Sequence, residues 1–311
     1  MIRYPTTLKA LQQAVDALPV PTGKSATGRG KSWRERAEER TRGFIDAEGY
    51  TKETAIWSEV KPVFDGLQMG KCAFCERALE SKKEKDIEHF RPKSGLKAWK
   101  PPKGFDATGL TFSTITSPDP GYYKLVYHLL NYSVACARCN GDLKSNMFPI
   151  GVKTHDVKGA DPVKLKREKP YLVFPIGNWD EDPEDLIDFE GLFPLPKKKK
   201  GTAGYQRARV TIAFFKLDDY NYRREIFRGR AEAIEKIGMA RELLSGTGTT
   251  AALRDQCKAI IAYQTSPQAQ YTSCARAFNG LWDSDVVKAR KIFKIAVDFL
   301  AGVSPPRPDP R

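Results

Sequence analysis

The sequence contains no uninterrupted apolar run approaching bilayer-spanning length, which argues against a helical membrane protein. It opens MIRYPTTLKALQQAVDALPVP, without a basic-then-apolar leader and a small-residue cleavage site, so a cytoplasmic location is expected. Cysteine is scarce, six in 311 residues, too few for a disulfide scaffold of this size. Histidine is scarcer: an imidazole base must be one of His89, His128 and His155. No internal repeat is evident, and no nucleotide-binding motif survives inspection. TGKS at residues 22–25 resembles the end of a phosphate-binding loop, but the required first glycine would fall at Leu18.

What is present reads as an ordinary folded chain, 41% hydrophobic and 29% charged. Its length suits two domains, or one with elaborations on either side. The 52 Lys and Arg against 38 Asp and Glu give a net charge of +14, so a polyanionic partner is expected, with a merely solvated basic surface as the alternative. Three regions are predicted: a helical one over residues 1–65, a metal-binding core over 66–155, and a mainly helical one over 156–311 with short strands and a disordered tail, SPPRPDPR. In the first, LKALQQAVDAL reads as a helix, and TKETAIWSEVKPVFDGL as an amphipathic helix begun by a threonine cap. In the second, residues 99–121 read as a long irregular insertion, and YYKLVYHLLN has helical apolar spacing. In the third, YLVFPIGNWDEDPEDLIDFEGLFPLP suggests short strands separated by turns, and KKKKGTAG an exposed loop.

Four cysteines fall in two C-x-x-C pairs, Cys72 with Cys75 and Cys136 with Cys139, while Cys257 and Cys274 stand alone. Zinc needs four soft or borderline donors in a tetrahedron, and C-x-x-C turns two thiolates toward one ion. Two pairs complete a closed shell with no open position, so a structural zinc is expected. A redox site usually needs one pair rather than two.

Between the pairs, DIEHFRPKS holds His89 with Asp86 and Glu88 before it and Arg91 and Lys93 after it. A potential base, a metal-binding carboxylate and phosphate-binding cations thus share one short segment. His128 lies among apolar residues and reads as packed or hydrogen-bonded, and His155, in GVKTHDVKG, reads as a surface-loop residue. Cleaving a phosphodiester requires that a water lose its proton while added negative charge is neutralised. A neutral imidazole and a hard divalent ion held by oxygen donors supply those two needs.

The order C-x-x-C, IEHFRP, NYSVACARCN and then Lys144 resembles the HNH endonucleases with their ββα-metal fold. The longer pattern, DIEHFRPKS followed by GYYKLVYHLLNYSVACARCNGDLKSNMFPI, is similar to the PtuB-like nucleases of the Septu and retron anti-phage systems. The resemblance runs from about Gly70 to Arg230. It implies an α+β, mainly helical chain built on a zinc-braced ββα-metal core with helical flanks. His89 would be the general base and Glu88 a ligand of the catalytic ion. Asn131 would brace the loop that orients the base, Asn140 would be a second metal ligand, and Lys144 would approach substrate phosphate. In the family pattern Asp is commoner before the histidine and many members have His at the last position; Glu88 and Asn140 keep oxygen donors, so magnesium or manganese is favoured. Asp86 could share the role of Glu88. An ATPase partner is also implied.

Glu88 and His89 are neighbours on a predicted strand, where side chains alternate, so they can serve one phosphate only if the strand bends or ends there; Pro92 fits such an end. A four-residue spacing would put Asn140 and Lys144 on one helix face, although Gly141 weakens the helix. Two rivals share the charge and the cysteines: a non-catalytic zinc-stabilised nucleic-acid-binding module, and a zinc-braced adaptor that uses the C-terminal helices for protein contact. Neither needs Glu88, His89 and Asn140 together.

Overall fold

The computed structural model describes the chain apart from residues 21–29, 53, 115–118, 153–160 and 308–311. The TGKS loop, His155 and the end of the tail therefore lie outside the described residues. Among the described residues the fold is mainly helical with two small two-stranded antiparallel sheets, an α+β chain. It gathers into two compact units, one of residues 3–74 and 79–182, the other of residues 183–311 together with 1–2 and 75–78. The regions expected at 1–65 and 66–155 thus fall largely within a single unit.

In the first of these units, α1 (Leu8–Asp16) starts where the Thr7 hydroxyl accepts from Ala10 N, and it buries Leu11 and Val15. Helix α2 (Trp33–Asp46) starts at a capping box: Ser32 and Glu35 each accept from the other's main chain, which satisfies two N–H groups the helix cannot. Its inward face places Trp33, Ala37 and Phe44 in the core. Phe44 stacks on Tyr127 at 6.0 Å, and Trp33 meets Tyr127 and Tyr132 edge-on. The indole N–H of Trp33 is satisfied by the Ile56 carbonyl at 2.9 Å. Each such aromatic contributes roughly 2 to 3 kcal/mol through burial, so this cluster anchors α2 over the segment that leads into the second cysteine pair.

The helix expected to begin at a threonine in TKETAIWSEVKPVFDGL starts later. A single 3₁₀ turn, Trp57–Val60, leads into α3 (Lys61–Leu67), whose first turn accommodates Pro62 because no N–H is required there. YYKLVYHLLN is not one helix either but two isolated turns, Tyr123–Leu125 and Leu129–Asn131. The Val126 carbonyl, which an α-helix would offer to Leu130 N–H, is occupied by His89 Nε2 and the Tyr132 hydroxyl; Leu130 N–H turns instead to His128 Nδ1. Strands β1 (Asp86–His89) and β2 (Tyr132–Ala135) form the antiparallel pair that carries the site, with Glu88 opposite Ser133 and His89 opposite Tyr132.

In the other unit, the segment 183–186 is a single helical turn, α4 (Pro183–Leu186). It leads to a hairpin, β3 (Ile187–Glu190) with β4 (Phe193–Pro196), as the strand-and-turn reading of this stretch expected. Lys197 to Lys200 are exposed. Five helices follow: α5 (Ala203–Phe214), α6 (Arg224–Ser245), α7 (Ala251–Thr265), α8 (Thr272–Ser284) and α9 (Val286–Leu300). The long α6 packs against α7, α8 and α9. Gly238 permits its approach to α9, since a Cβ there would fall 2.4 Å from the Phe293 ring. In the described part of the tail, Pro305 is buried. None of the described helices is long and apolar enough to cross a membrane.

Candidate active site and metal centre

The first C-x-x-C follows a tight reversal at the end of α3, where Met69 and Gly70 both take positive φ. The buried Gln68 amide fixes this turn by giving hydrogen bonds to the Lys71 and Val134 carbonyls and accepting one from Val134 N–H. Ala73 N–H bonds the Val134 carbonyl, so the cysteine turn lies along β2, and Cys136 follows directly on that strand. The four sulfur atoms of Cys72, Cys75, Cys136 and Cys139 lie within 4.8 Å of one another, and all four residues are buried. A tetrahedral Zn–S distance of ~2.3 Å puts sulfurs ~3.8 Å apart, so the cluster could hold one zinc after only slight contraction.

After Cys136 the chain winds into a π-helix, Arg138–Lys144, rather than an α-helix. Its wide turn closes through Ser145 N–H to the Asn140 carbonyl at 2.6 Å. The segment presents Asn140 to a cleft of about 330 Å³ lined also by Trp57, Lys61, Asp86, Glu88, His89 and Lys93. Strand β1 ends at His89, so Glu88 and His89 both reach this cleft despite being neighbours.

His89 is 7% exposed, edge-on to Trp57 and Tyr132, each at 5.1 Å. Its Nε2 lies 3.0 Å from the Val126 carbonyl. A carbonyl only accepts, so Nε2 carries the proton and Nδ1 keeps its lone pair. Burial holds the imidazole well below its ordinary pKa, with the Lys93 charge pushing the same way, so the ring is neutral near pH 7.

Asn131 is fully buried behind the base. Its amide accepts from Arg91 N–H at 2.8 Å and donates to the Arg91 and Leu125 carbonyls. The turn after His89 is thus tied to the segment that supplies the Val126 carbonyl. Gly121 lets the insertion return close to it: φ is +70°, and a Cβ would fall 2.5 Å from the Ser94 main chain.

Two of the expected phosphate contacts sit elsewhere. Arg91 is fully buried and paired with Glu168, donates to the Leu165 carbonyl, and stacks on Tyr122 and Phe148. Its charge is spent inside the protein, not on a ligand. Lys144 is likewise buried: its ammonium lies 2.5 Å from Glu88 Oε1 and donates to the His89 carbonyl. Burial pushes the Glu88 carboxyl up and the Lys144 ammonium down, and each pulls the other back toward charge. Lys93 remains in the cleft, its ammonium over the Trp57 ring at 4.9 Å. Sequence reasoning missed Trp57, Lys61 and Gln68, which lie before the first cysteine and carry no motif. Another depression, of about 350 Å³, lies between α1, α2 and His128 and holds none of the expected catalytic side chains.

The chain matches no protein-family model and no solved structure. It is similar to Septu protein PtuB of Bacillus mycoides (strain KBAB4), 27% identical over 228 residues that cover 71% of this chain and 66% of that relative, slightly under two thirds of its length. The similarity supports a PtuB-like relationship.

Proposed function

We propose that this chain is a divalent-metal-dependent nuclease of the HNH type, the effector of an anti-phage defence system. The observation that carries the reading is the single cleft that gathers a neutral imidazole, two carboxylates, two amides and two lysines. The PtuB similarity supports the defence role and, with it, a partner protein, expected to be an ATPase.

In this reading His89 Nδ1 takes the proton of the attacking water, while Val126 fixes the ring's orientation and tautomer. Asn131 is a positioning residue that holds the turn bearing the base. Lys93 and Lys61 meet the substrate phosphate. The oxygen donors of Glu88, Asn140 and Asp86 suit a hard divalent ion such as magnesium or manganese. Such an ion, when bound, supplies positive charge to the phosphate and the leaving oxygen. The four cysteines hold a structural zinc that fixes the end of β2 and the start of the π-helix.

One observation favours the rival of a non-catalytic zinc-stabilised nucleic-acid-binding or adaptor protein: Lys144 already neutralises Glu88. Incubating the protein and its partner with plasmid and with total RNA, with and without magnesium or manganese, separates the two. The nuclease reading expects metal-dependent nicking or degradation of at least one substrate. Neither substrate cut under any condition would leave the rival.

A further inference from the structure

From Phe90 to Phe105 the chain carries Arg91, Lys93, Lys97, Lys100 and Lys103 and no carboxylate; the first acid is Asp106. Arg91 is spent in the core and Lys93 lies in the cleft, which leaves Lys97, Lys100 and Lys103, all exposed. Elsewhere exposed cations commonly have a carboxylate beside them, as in Lys31 with Glu39, Arg290 with Glu242 and Lys294 with Asp298. Among the described residues, Lys97, Lys100 and Lys103 make no ion pair.

The lysines stand on ordered backbone that starts at the cleft. Lys97 N–H bonds the carbonyl of Asn146, a cleft-lining residue, and Lys97 pairs with Met147 in a parallel bridge. Further on, Trp99 packs edge-on against Phe105 and Phe112, and Phe112 against Tyr171. Pro101 and Pro102 stiffen the path between. None of the large apolar side chains left exposed falls between residues 90 and 112, so this face suits a water-borne polyanion rather than a lipid or an apolar protein surface.

We propose that Lys97, Lys100 and Lys103 form a track that holds the phosphate backbone of a nucleic-acid strand as it leaves the cleft. The proposal rests on the nuclease reading for what occupies the cleft, but its test measures binding alone. Each cation that neutralises a phosphate releases a counterion, so the track contributes to the salt dependence of binding.

The test is fluorescence anisotropy of the full-length, zinc-loaded protein with labelled duplex and single-stranded oligonucleotides, without added divalent ion, across a potassium chloride series. The triple variant Lys97→Gln, Lys100→Gln, Lys103→Gln is expected to bind at least about tenfold more weakly at ~0.1 M salt. The slope of log affinity against log salt should fall by about 2 to 3, from ~0.9 per phosphate contact on duplex or ~0.7 on single strands. The larger loss identifies which form the track follows. A control removes equal charge from another exposed run, Lys198→Gln, Lys199→Gln, Lys200→Gln, and is expected to change the slope by less than about 1. An unaltered slope in the first variant, or an equal loss in the control, overturns the proposal. A wild type that binds with the expected slope but cuts nothing would remove the nuclease reading and leave the track standing.

Discussion

The Lys144 ammonium lies 2.5 Å from the Glu88 carboxylate, with the side chains 0% and 3% exposed. A charge pair this deep is held by its two members against the cost of leaving water, so removing one strands the other. Lys144→Met is expected to destabilise the protein by about 3 to 5 kcal/mol. Adding Glu88→Gln should recover at least about 1 kcal/mol by removing the stranded charge. Recovery should be partial, because Lys144 also donates to the His89 carbonyl. Guanidinium unfolding of the zinc-loaded variants measures this, and a double variant no more stable than Lys144→Met would contradict it.

The cysteine cluster predicts one tightly bound zinc per chain in native mass spectrometry. Cys139→Ser should lower zinc occupancy and stability together, since thiolate–zinc bonds contribute on the order of 10 kcal/mol of apparent binding energy to folding. Cys257→Ser and Cys274→Ser should leave zinc content unchanged, because neither residue belongs to the cluster. A chain that remains fully folded without zinc would contradict the structural role.

Ser145 carries φ 44° and ψ −127°, and Met147 N–H bonds the Lys144 carbonyl at 2.8 Å. Together these describe a type II′ turn with serine where glycine is normally needed. Ser145→Gly should therefore stabilise the fold by about 1 kcal/mol. Equilibrium unfolding checks the sign, and a loss of stability would contradict this backbone geometry.

His128 titrates with the fold. Burial lowers its pKa to about 4, against an ordinary 6.5, with Asp161 opposing. Between those values the unfolded chain takes up a proton that the folded chain refuses. The neutral ring's stability contribution is thus complete above pH 6.5 and lost as pH falls toward 4. Across that window wild type should lose up to about 1.4 kcal/mol per pH unit more than His128→Asn. Urea unfolding at several pH values reads the difference, from which the acid sensitivity of the zinc thiolates cancels. Parallel stability curves would contradict the assignment.

Local signals made part of this molecule legible in the sequence. C-x-x-C spacing marked the four cysteines that meet, and the acid-flanked His89 marked the residue that lines the cleft with Glu88 and Asn140. The hairpin at 187–196 and the C-terminal helices followed from turn residues and apolar periodicity. What stayed hidden depends on partners distant in sequence. Arg91 looked like a phosphate contact because it follows the histidine, yet its partner Glu168 is 77 residues away. Lys144 has helical spacing from Asn140, but its target lies 56 residues back, on β1. The segment 122–131 has a helix's apolar period, yet side chains capture the carbonyl that a helix would need. Periodicity records which residues are buried, not which hydrogen bonds are already taken.

The most direct test of the proposed chemistry is the cleavage rate of His89→Ala under whichever metal and substrate support wild-type turnover, with zinc content and unfolding measured on the same samples. Loss of a general base predicts a fall of about 10² to 10⁴-fold with zinc retained. A folded, zinc-replete His89→Ala protein that cuts as fast as wild type would show that the imidazole held against Val126 is not the base.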